Sequence, residues 1–194
     1  MRPVAALLLV MAPSGVAAGS LAVELRDARG GPVGVGVVWA VPEGRRPPPS
    51  AARHAVMDQR NRAFVPHVLA IQTGTAVRFP NSDNVRHQVY SFSAAKKFQL
   101  PLYAGSPAGP VVFDKPGVVM LGCNIHDRMS AFIVVVDSPY FASVKDGRAT
   151  LADLPDGRYA VHAWHEGLRQ ETAPLSVTIA GDERRELVLS VPAR

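Results

Sequence analysis

The stretch from Gly122 to Met129 reads Gly-Cys-Asn-Ile-His-Asp-Arg-Met and holds the only cysteine of the chain, Cys123. His126 follows this cysteine by three residues, and Met129 follows by six. A soft thiolate, an imidazole and a thioether in one short loop suit a copper ion that cycles between Cu(I) and Cu(II). In a blue-copper site, two histidines and a cysteine form a plane and a methionine binds weakly along the axis. The loop therefore predicts a copper site that needs one more histidine.

His87 is the best candidate for the second histidine. It lies in the segment Asn-Ser-Asp-Asn-Val-Arg-His-Gln-Val at residues 81–89. The alternation of Arg86–Phe92 predicts a strand that places His87 and Val89 on one face. A histidine on an inner strand can meet a loop between the last two strands at one end of a β-sandwich. Zinc is the alternative ion, but a structural zinc site would take a thiolate or harder ligand in place of methionine.

The pattern Cys-x2-His-x2-Met, preceded by Asn-x5-His-x-Val, resembles the cupredoxins, with the loop spacing of amicyanin. The segment 79–93 is also similar to cupredoxin-like proteins labelled methylamine utilization proteins. The resemblance covers about residues 55–137, and Gln88 stands where the family usually has an asparagine. It implies a Greek-key β-sandwich that carries single electrons through one mononuclear type 1 copper ion. The ligands that it implies are His87, Cys123, His126 and Met129.

The resemblance also implies a redox partner, such as a periplasmic dehydrogenase or a c-type cytochrome. In the family the second histidine of the loop usually lies near the surface, so His126 is the expected electron port. A second hypothesis concerns the basic residues from Arg45 to Arg62 and the pair Lys96 and Lys97. If they surround the copper end, they would steer an acidic partner toward it.

Composition limits the other classes of function. The 194 residues carry 21 Lys and Arg against 16 Asp and Glu, which is a modest excess. Without an aromatic and basic motif this excess predicts no nucleic-acid partner. The 16 glycines and 17 prolines favour turn-rich β structure. A lone cysteine in an oxidising compartment cannot form an internal disulfide, and the spacing around Cys123 favours a metal ligand.

Residues 1–18 have the pattern of a secretory signal peptide. Arg2 supplies the positive charge, Val4–Ala12 the apolar run, and Val16–Ala18 a small-residue cleavage site. The apolar run is too short to span a bilayer, and no later segment is long and apolar enough. We therefore expect a periplasmic protein without a membrane span, cleaved after Ala18, if the source is a Gram-negative bacterium.

The chain after the signal divides into two predicted domains. Residues 19–137 contain about seven or eight short predicted strands, which fits a Greek-key β-sandwich. The runs from Leu21 to Val41 read as a β-hairpin, and we assign it to this first sandwich. The strand after the ligand loop has apolar residues on both faces, which predicts burial on both sides. These residues are Ala131, Ile133 and Val135 on one face and Phe132, Val134 and Val136 on the other.

Residues 138–194 change in character. Turn signals about ten residues apart separate the predicted strands 158–164, 175–179 and 186–191. The segment Leu154–Tyr159 resembles small transthyretin-like or carboxypeptidase regulatory-like β-sandwich modules. A module of this size has a marginal core by itself, so we expect it to pack on the first domain.

The remaining histidines and polar residues have ordinary interpretations. We expect His54 to be solvated and His67 to lie at the surface or the edge of the core. His162 and His165 stand three apart on a predicted strand, so they should point to opposite faces. The pair Asn81 and Asp83 should satisfy backbone groups of a turn.

The sequence contains no defensible Ser-His-Asp order, carboxylate pair or phosphate loop, so we expect no enzyme. Two other functions stay open. The first is a periplasmic copper carrier or sensor that uses the same ligands without electron-transfer turnover. The second is an interaction protein in which the C-terminal module does the work and copper is incidental.

Overall fold

The computed structural model describes residues 18–44, 53–107, 109–126, 128–168 and 173–189. These residues contain strands and turns but no helix, so the predicted all-β class is confirmed. None of them belongs to a helix that could cross a membrane. The predicted signal peptide, apart from Ala18, lies outside the described residues. The strands are β1 Ala18–Asp27, β2 Val35–Pro42, β3 His54–Val56, β4 Asp58–Arg60, β5 Ala63–Val65, β6 Val68–Gln72, β7 Thr75–Arg78, β8 Tyr90–Ser93, β9 Lys96–Gln99, β10 Val111–Phe113, β11 Gly117–Gly122, β12 Ser130–Val136, β13 Tyr140–Lys145, β14 Arg148–Pro155, β15 Gly157–His165, β16 Leu175–Ile179 and β17 Glu183–Leu189.

The middle of the chain forms a sandwich, called here the loop sandwich because it carries the Cys123–Met129 loop. Its sheets have the strand orders β6-β12-β11-β8-β9 and β10-β7-β3, and β4 pairs with β5 beside them. Crossovers bring β6 parallel to β12 and β3 parallel to β7. This agrees with the predicted Greek-key sandwich. One core fills it: Met57, Phe64, Ile71, Val77, Phe79, Val89, Phe113, Val119, Leu121, Cys123, Met129, Ala131, Ile133 and Val135.

The ligand loop joins two strands that are hydrogen-bonded neighbours. β11 and β12 pair antiparallel from Gly117 opposite Val135 to Gly122 opposite Ser130. The loop therefore starts and ends at the same edge of a continuous ladder, where Cys123 and Met129 both turn into the core. Both ends of the ligand loop are thus held by the rigid frame of the sheet.

β12 is buried on both faces, as predicted. Ala131, Ile133 and Val135 point into the core of the loop sandwich. Val134 and Val136 point the other way, into a second cluster with Val37 and Val68. Trp39, Ala70, Phe132, Phe141 and Trp164 pack against this second cluster. The predicted packing of the C-terminal strands on the loop sandwich is therefore confirmed.

The assignment of the N-terminal strands to the loop sandwich is wrong. β1 and β2 do not pair as a hairpin but lie apart in a seven-stranded sheet of order β16-β15-β2-β13-β14-β1-β17. β1 pairs antiparallel with β14 and parallel with β17, and β2 lies between β13 and β15. Alternation showed which side chains are buried, but it does not identify the partner strand.

Both ends of the chain contribute to the core of the seven-stranded sheet. The core of the seven-stranded sheet takes Leu21, Val23 and Leu25 from β1 and Val38 and Ala40 from β2. The other core residues come from the C-terminal strands, and the N-terminal strands enlarge this core, which favours stability because small domains bury too little surface alone. The segment at Leu154–Tyr159 forms a tight corner here, with the buried Tyr159 hydroxyl donating to the Pro155 carbonyl at 2.7 Å.

Candidate metal centre

Three of the four predicted ligands lie together at one end of the loop sandwich. Donor atoms of His87, Cys123 and His126 all lie within 4.8 Å of one another. His87 Nδ1 is 3.9 Å from Cys123 Sγ, and the two imidazole rings are 5.0 Å apart. His87 is completely buried, Cys123 is 4% exposed and His126 is partly buried. The separate segments predicted from sequence thus form one cluster of nitrogen and sulfur donors.

Met129 closes the loop that carries two of these donors. Its N–H donates to the carbonyl of His126 at 2.9 Å, which makes a tight turn of the loop. Its side chain is buried in the same core cluster as Cys123. The thioether is therefore in the same core as the Cys123 side chain, and a thioether is a soft ligand that suits copper.

Asp83 fixes the ring of His87. Its Oδ2 is 2.8 Å from His87 Nε2, so the ring donates from Nε2 and turns the Nδ1 lone pair toward Cys123. Desolvation raises the pKa of Asp83, but hydrogen bonds from the Arg62 N–H, His87 and the Asn61 N–H outweigh it. The pKa is held below its ordinary value. The carboxylate stays ionised and keeps His87 in one tautomer.

His126 has a buried ring nitrogen that needs a partner. No hydrogen bond reaches His126 Nδ1 from the residues that the structure describes. Leaving a buried polar atom unsatisfied costs about 1–3 kcal/mol. A metal ion bound also by His87 and Cys123 would satisfy it. The donor set suits copper, because it combines imidazoles and a soft thiolate with a buried thioether.

Hydrogen bonds outside the regular strands hold the segment that leads to His87. β8 begins only at Tyr90, and His87 instead forms an isolated bridge in which its backbone and that of Tyr103 exchange two hydrogen bonds of 3.0 Å. Asn81 donates from Nδ2 to the carbonyls of Val85 and Tyr103, which confirms its predicted role in the turn. These contacts keep the His87 backbone in register with the core.

Tyr103 is itself anchored below the site. Its hydroxyl donates to the carbonyl of Phe79 at 2.6 Å and accepts from the amide of Gln59. Burial raises the pKa of Tyr103 to about 12. The phenol therefore stays protonated at neutral pH and acts as a fixed donor that supports the backbone opposite His87.

A side-chain contact missed by the sequence interpretation links the two ligand segments. Asn124 Nδ2 donates to Gln88 Oε1 at 2.7 Å. Gln88 follows His87, and Asn124 follows Cys123. The hydrogen bond therefore connects the residues that flank two of the candidate ligands across the surface of the site. The family that the sequence resembles usually has an asparagine at this position. The longer side chain of Gln88 reaches the loop.

The other histidines lie outside this cluster. His54 is exposed, as predicted, and His67 is an exposed residue whose Nε2 pairs with Glu166 at 2.8 Å. This contact links the loop sandwich to the seven-stranded sheet. His162 stacks on Trp39, and the His165 ring accepts a hydrogen bond from the N–H of Gly167. Among the described residues, only His87, Cys123 and His126 form a group of three metal-binding side chains.

The surface of the site carries basic residues. Arg62, Arg86 and Arg128 are exposed beside the segments that hold the donors. Lys96, which was predicted to contribute to this charge, instead pairs with Asp114 at 2.8 Å. The part of the basic loop at residues 45–52 lies outside the described residues.

Solved structures of cupredoxins are similar to part of this chain. A purple cupredoxin from Nitrosopumilus maritimus is 23% identical over 42% of this chain and 99% of its own, with a TM-score of 0.38. The Cu(I) form of an amicyanin variant is 20% identical over 50% of this chain and 99% of its own, with a TM-score of 0.39. No protein-family model and no curated protein sequence matches the chain.

A copper-containing nitrite reductase from Thermus scotoductus is also similar. It is 25% identical over 50% of this chain, with a TM-score of 0.40. The similarity spans 25% of the nitrite reductase.

Proposed function

We propose that this protein is an exported electron carrier with one mononuclear type 1 copper site and no enzymatic activity of its own. The ligands would be His87, Cys123, His126 and Met129. The observation that carries the proposal is the meeting of two imidazoles and a thiol within 4.8 Å at one end of a rigid sandwich. Copper bound there would supply a reversible one-electron couple.

The residues around the site are arranged to hold one geometry. Asp83 fixes the His87 ring, and the Gln88–Asn124 hydrogen bond fixes the loop against that segment. Cys123 directly follows the last residue of β11, and Met129 directly precedes the first residue of β12. Ligands locked by packing and by neighbouring hydrogen bonds keep their positions when the charge at the centre changes. A small rearrangement on gain or loss of an electron favours fast exchange.

His126 would serve as the port through which electrons enter and leave. It is the partly buried donor of the cluster, and its neighbour Ile125 is 52% exposed. An exposed apolar side chain beside such a port can pack against a partner protein. Arg62, Arg86 and Arg128 would steer an acidic partner, such as a periplasmic dehydrogenase or a c-type cytochrome, and salt would weaken this steering.

A copper carrier or sensor is the second candidate, because it would use the same donors. Burial of His87 and Cys123 favours the electron carrier over this alternative. A carrier must release its ion to an acceptor, and that requires ligands that can reach a second protein. Here the thiol and one imidazole lie beneath the surface in a hydrogen-bonded frame.

The deciding experiment is to load the purified full chain with Cu(II) and to record visible and EPR spectra before and after reduction. We expect an intense blue absorption that disappears on reduction and returns fully on reoxidation. A zinc-loaded sample is the control and should be colourless. A pale Cu(II) spectrum would contradict the type 1 site, and an intense colour that does not return on reoxidation would favour the carrier.

A further inference from the structure

A cleft lies between the outer face of the seven-stranded sheet and the outer face of the loop sandwich. Its volume is about 550 Å3. Small-molecule sites have volumes of about 300–1,000 Å3 and occur preferentially between domains. Trp39, His162 and Trp164 of β2 and β15 form one wall, and Val118 and Val134 of β11 and β12 form the other. The cleft opens beside the apolar cluster where the two faces meet.

Both tryptophans of the chain, Trp39 and Trp164, line this cleft. The indole of Trp39 stacks on the imidazole of His162, with centroids 5.1 Å apart and planes 7° from parallel. The indole of Trp164 packs against Phe132 at 5.1 Å. Neighbouring rings thus hold both indoles in place, and both indoles are only partly buried. Fixed indole surfaces of this kind provide a large contact area for a flat ring.

The polar groups of the cleft restrict the class of ligand. Asp137 is the only charged side chain among the described residues that line it, and it is exposed at the rim. A positive charge is attracted both by a carboxylate and by the face of an indole. A sugar would need many donors and acceptors to match its hydroxyl groups, and the mostly apolar lining does not offer them. The lining therefore favours an aromatic cation over a sugar or an anion.

We propose that this cleft binds a flat aromatic molecule that carries one positive charge. Its ring would lie against Trp39 and Trp164, and its charged group would face Asp137. The cleft is remote from the metal centre, because β11 runs for six residues from Gly117 in the cleft to Gly122 beside Cys123. At roughly 3.3 Å per residue this is about 17 Å. The proposal is therefore independent of the electron-carrier function.

Binding can be tested on the full chain with benzyltrimethylammonium as the probe, by calorimetry and by tryptophan emission. We expect saturable binding of one molecule per chain, accompanied by a change in emission, since both tryptophans line the cleft. The anion 3-phenylpropionate should bind at least about tenfold more weakly. Asp137→Asn should weaken binding of the cation about fivefold without affecting the fold, because the side chain is exposed.

Asp153→Asn is the matched control, because it removes another exposed carboxylate, at a left-handed position that asparagine tolerates. It should leave binding of the cation unchanged. Equal affinity for the cation and the anion would overturn the proposal, as would the absence of saturation with benzyltrimethylammonium. Saturable binding of cellobiose with a change in emission would show a sugar site instead. If the Asp137→Asn variant binds the cation as tightly as the unsubstituted chain, the proposed role of Asp137 and the proposal itself are contradicted.

Discussion

Asp83 and His87 form a contact in which the carboxylate Oδ2 lies 2.8 Å from Nε2 of the ring. This contact leaves His87 Nδ1 directed at the sulfur of Cys123, 3.9 Å away. The carboxylate is in turn held by the N–H groups of Asn61 and Arg62 at 2.6 and 2.8 Å. The orientation of the His87 ring therefore depends on the turn between β4 and β5, which holds Asp83.

Asp83→Asn should lower the affinity for copper by about 10- to 100-fold, because partners of ligating histidines contribute that much to metal binding. The asparagine can present either oxygen or nitrogen to the ring and no longer enforces one tautomer. Competition with a chelator measures the change. Asp114→Asn is the control, since Asp114 is exposed and its carboxylate pairs with Lys96, away from the histidines. Equal affinities of the two variants would contradict the role of Asp83.

Cys123→Ser should abolish the intense blue absorption even if some copper remains bound. Charge transfer to Cu(II) requires a short bond to a deprotonated thiol, which serine cannot provide. Visible spectra and metal content measured on the same sample separate loss of colour from loss of copper. If the blue band persists unchanged in this variant, Cys123 is not the ligand and the proposed site is wrong.

His126→Gly should open the site to imidazole from solution. The ring of His126 is partly buried at the surface end of the cluster, whereas His87 and Cys123 lie in the frame beneath it. The other ligands should keep their positions, so added imidazole should restore the blue absorption. His87→Gly is the comparison, because its ring is completely buried and exogenous imidazole should restore little colour. Equal rescue of both variants would contradict the proposed port.

Gly122→Ala should destabilise the protein by about 1–3 kcal/mol, the usual cost of overpacking. A Cβ atom at Gly122 would lie 2.6 Å from Cζ of Tyr90 on the neighbouring strand. Denaturant unfolding measures the change, and Gly34→Ala should be close to neutral because its Cβ would meet nothing within 4 Å. Adding Tyr90→Ala to Gly122→Ala should remove the clash. If the loss of stability in the double variant equals the sum of the losses in the two single variants, the contact with Tyr90 does not cause the destabilisation.

Tyr103 should make the stability of the metal-free protein fall in strong alkali. Its pKa is raised to about 12 in the folded state, so the folded chain retains a proton that the unfolded chain loses near pH 10. The stabilisation is complete below pH 10 and is lost as the pH rises toward 12. Unfolding of the Tyr103→Phe variant should depend less on pH in this window. An identical pH dependence would contradict the burial of the phenol.

The sequence was most informative where the chemistry is local. Cys123, His126 and Met129 lie within seven residues, so their types and spacing predict a metal-binding loop without any tertiary information. The inward direction of His87 followed from the position of Val89 two residues later, and both are buried. The burial of the strand after the loop was equally readable, because apolar side chains on both faces of a strand indicate that both faces are covered.

Contacts between loops could not be predicted in the same way. The contacts of Asp83 and Gln88 could not be predicted from sequence periodicity. Their partners depend on how two irregular segments fold against each other. The partner strands of β1 were missed for a related reason. Alternation specifies the buried face of a strand, but an unpaired strand fits any sheet with space beside its edge.

The pairing of β1 with β17 has a consequence for the order in which the chain folds. β1 begins at Ala18, and its parallel partner ends at Leu189, near the opposite terminus. A ribosome makes β17 long after β1, so the edge of β1 has no partner on that side until the strands between them have been made. Contacts so distant along the chain close slowly. The segment 54–136, by contrast, contains every strand of the loop sandwich. It can form its sheets before the flanking strands have paired. The proposed metal site can therefore form before the C-terminal strands are made, and the aromatic cleft, which needs β2 and β15 together, is completed later.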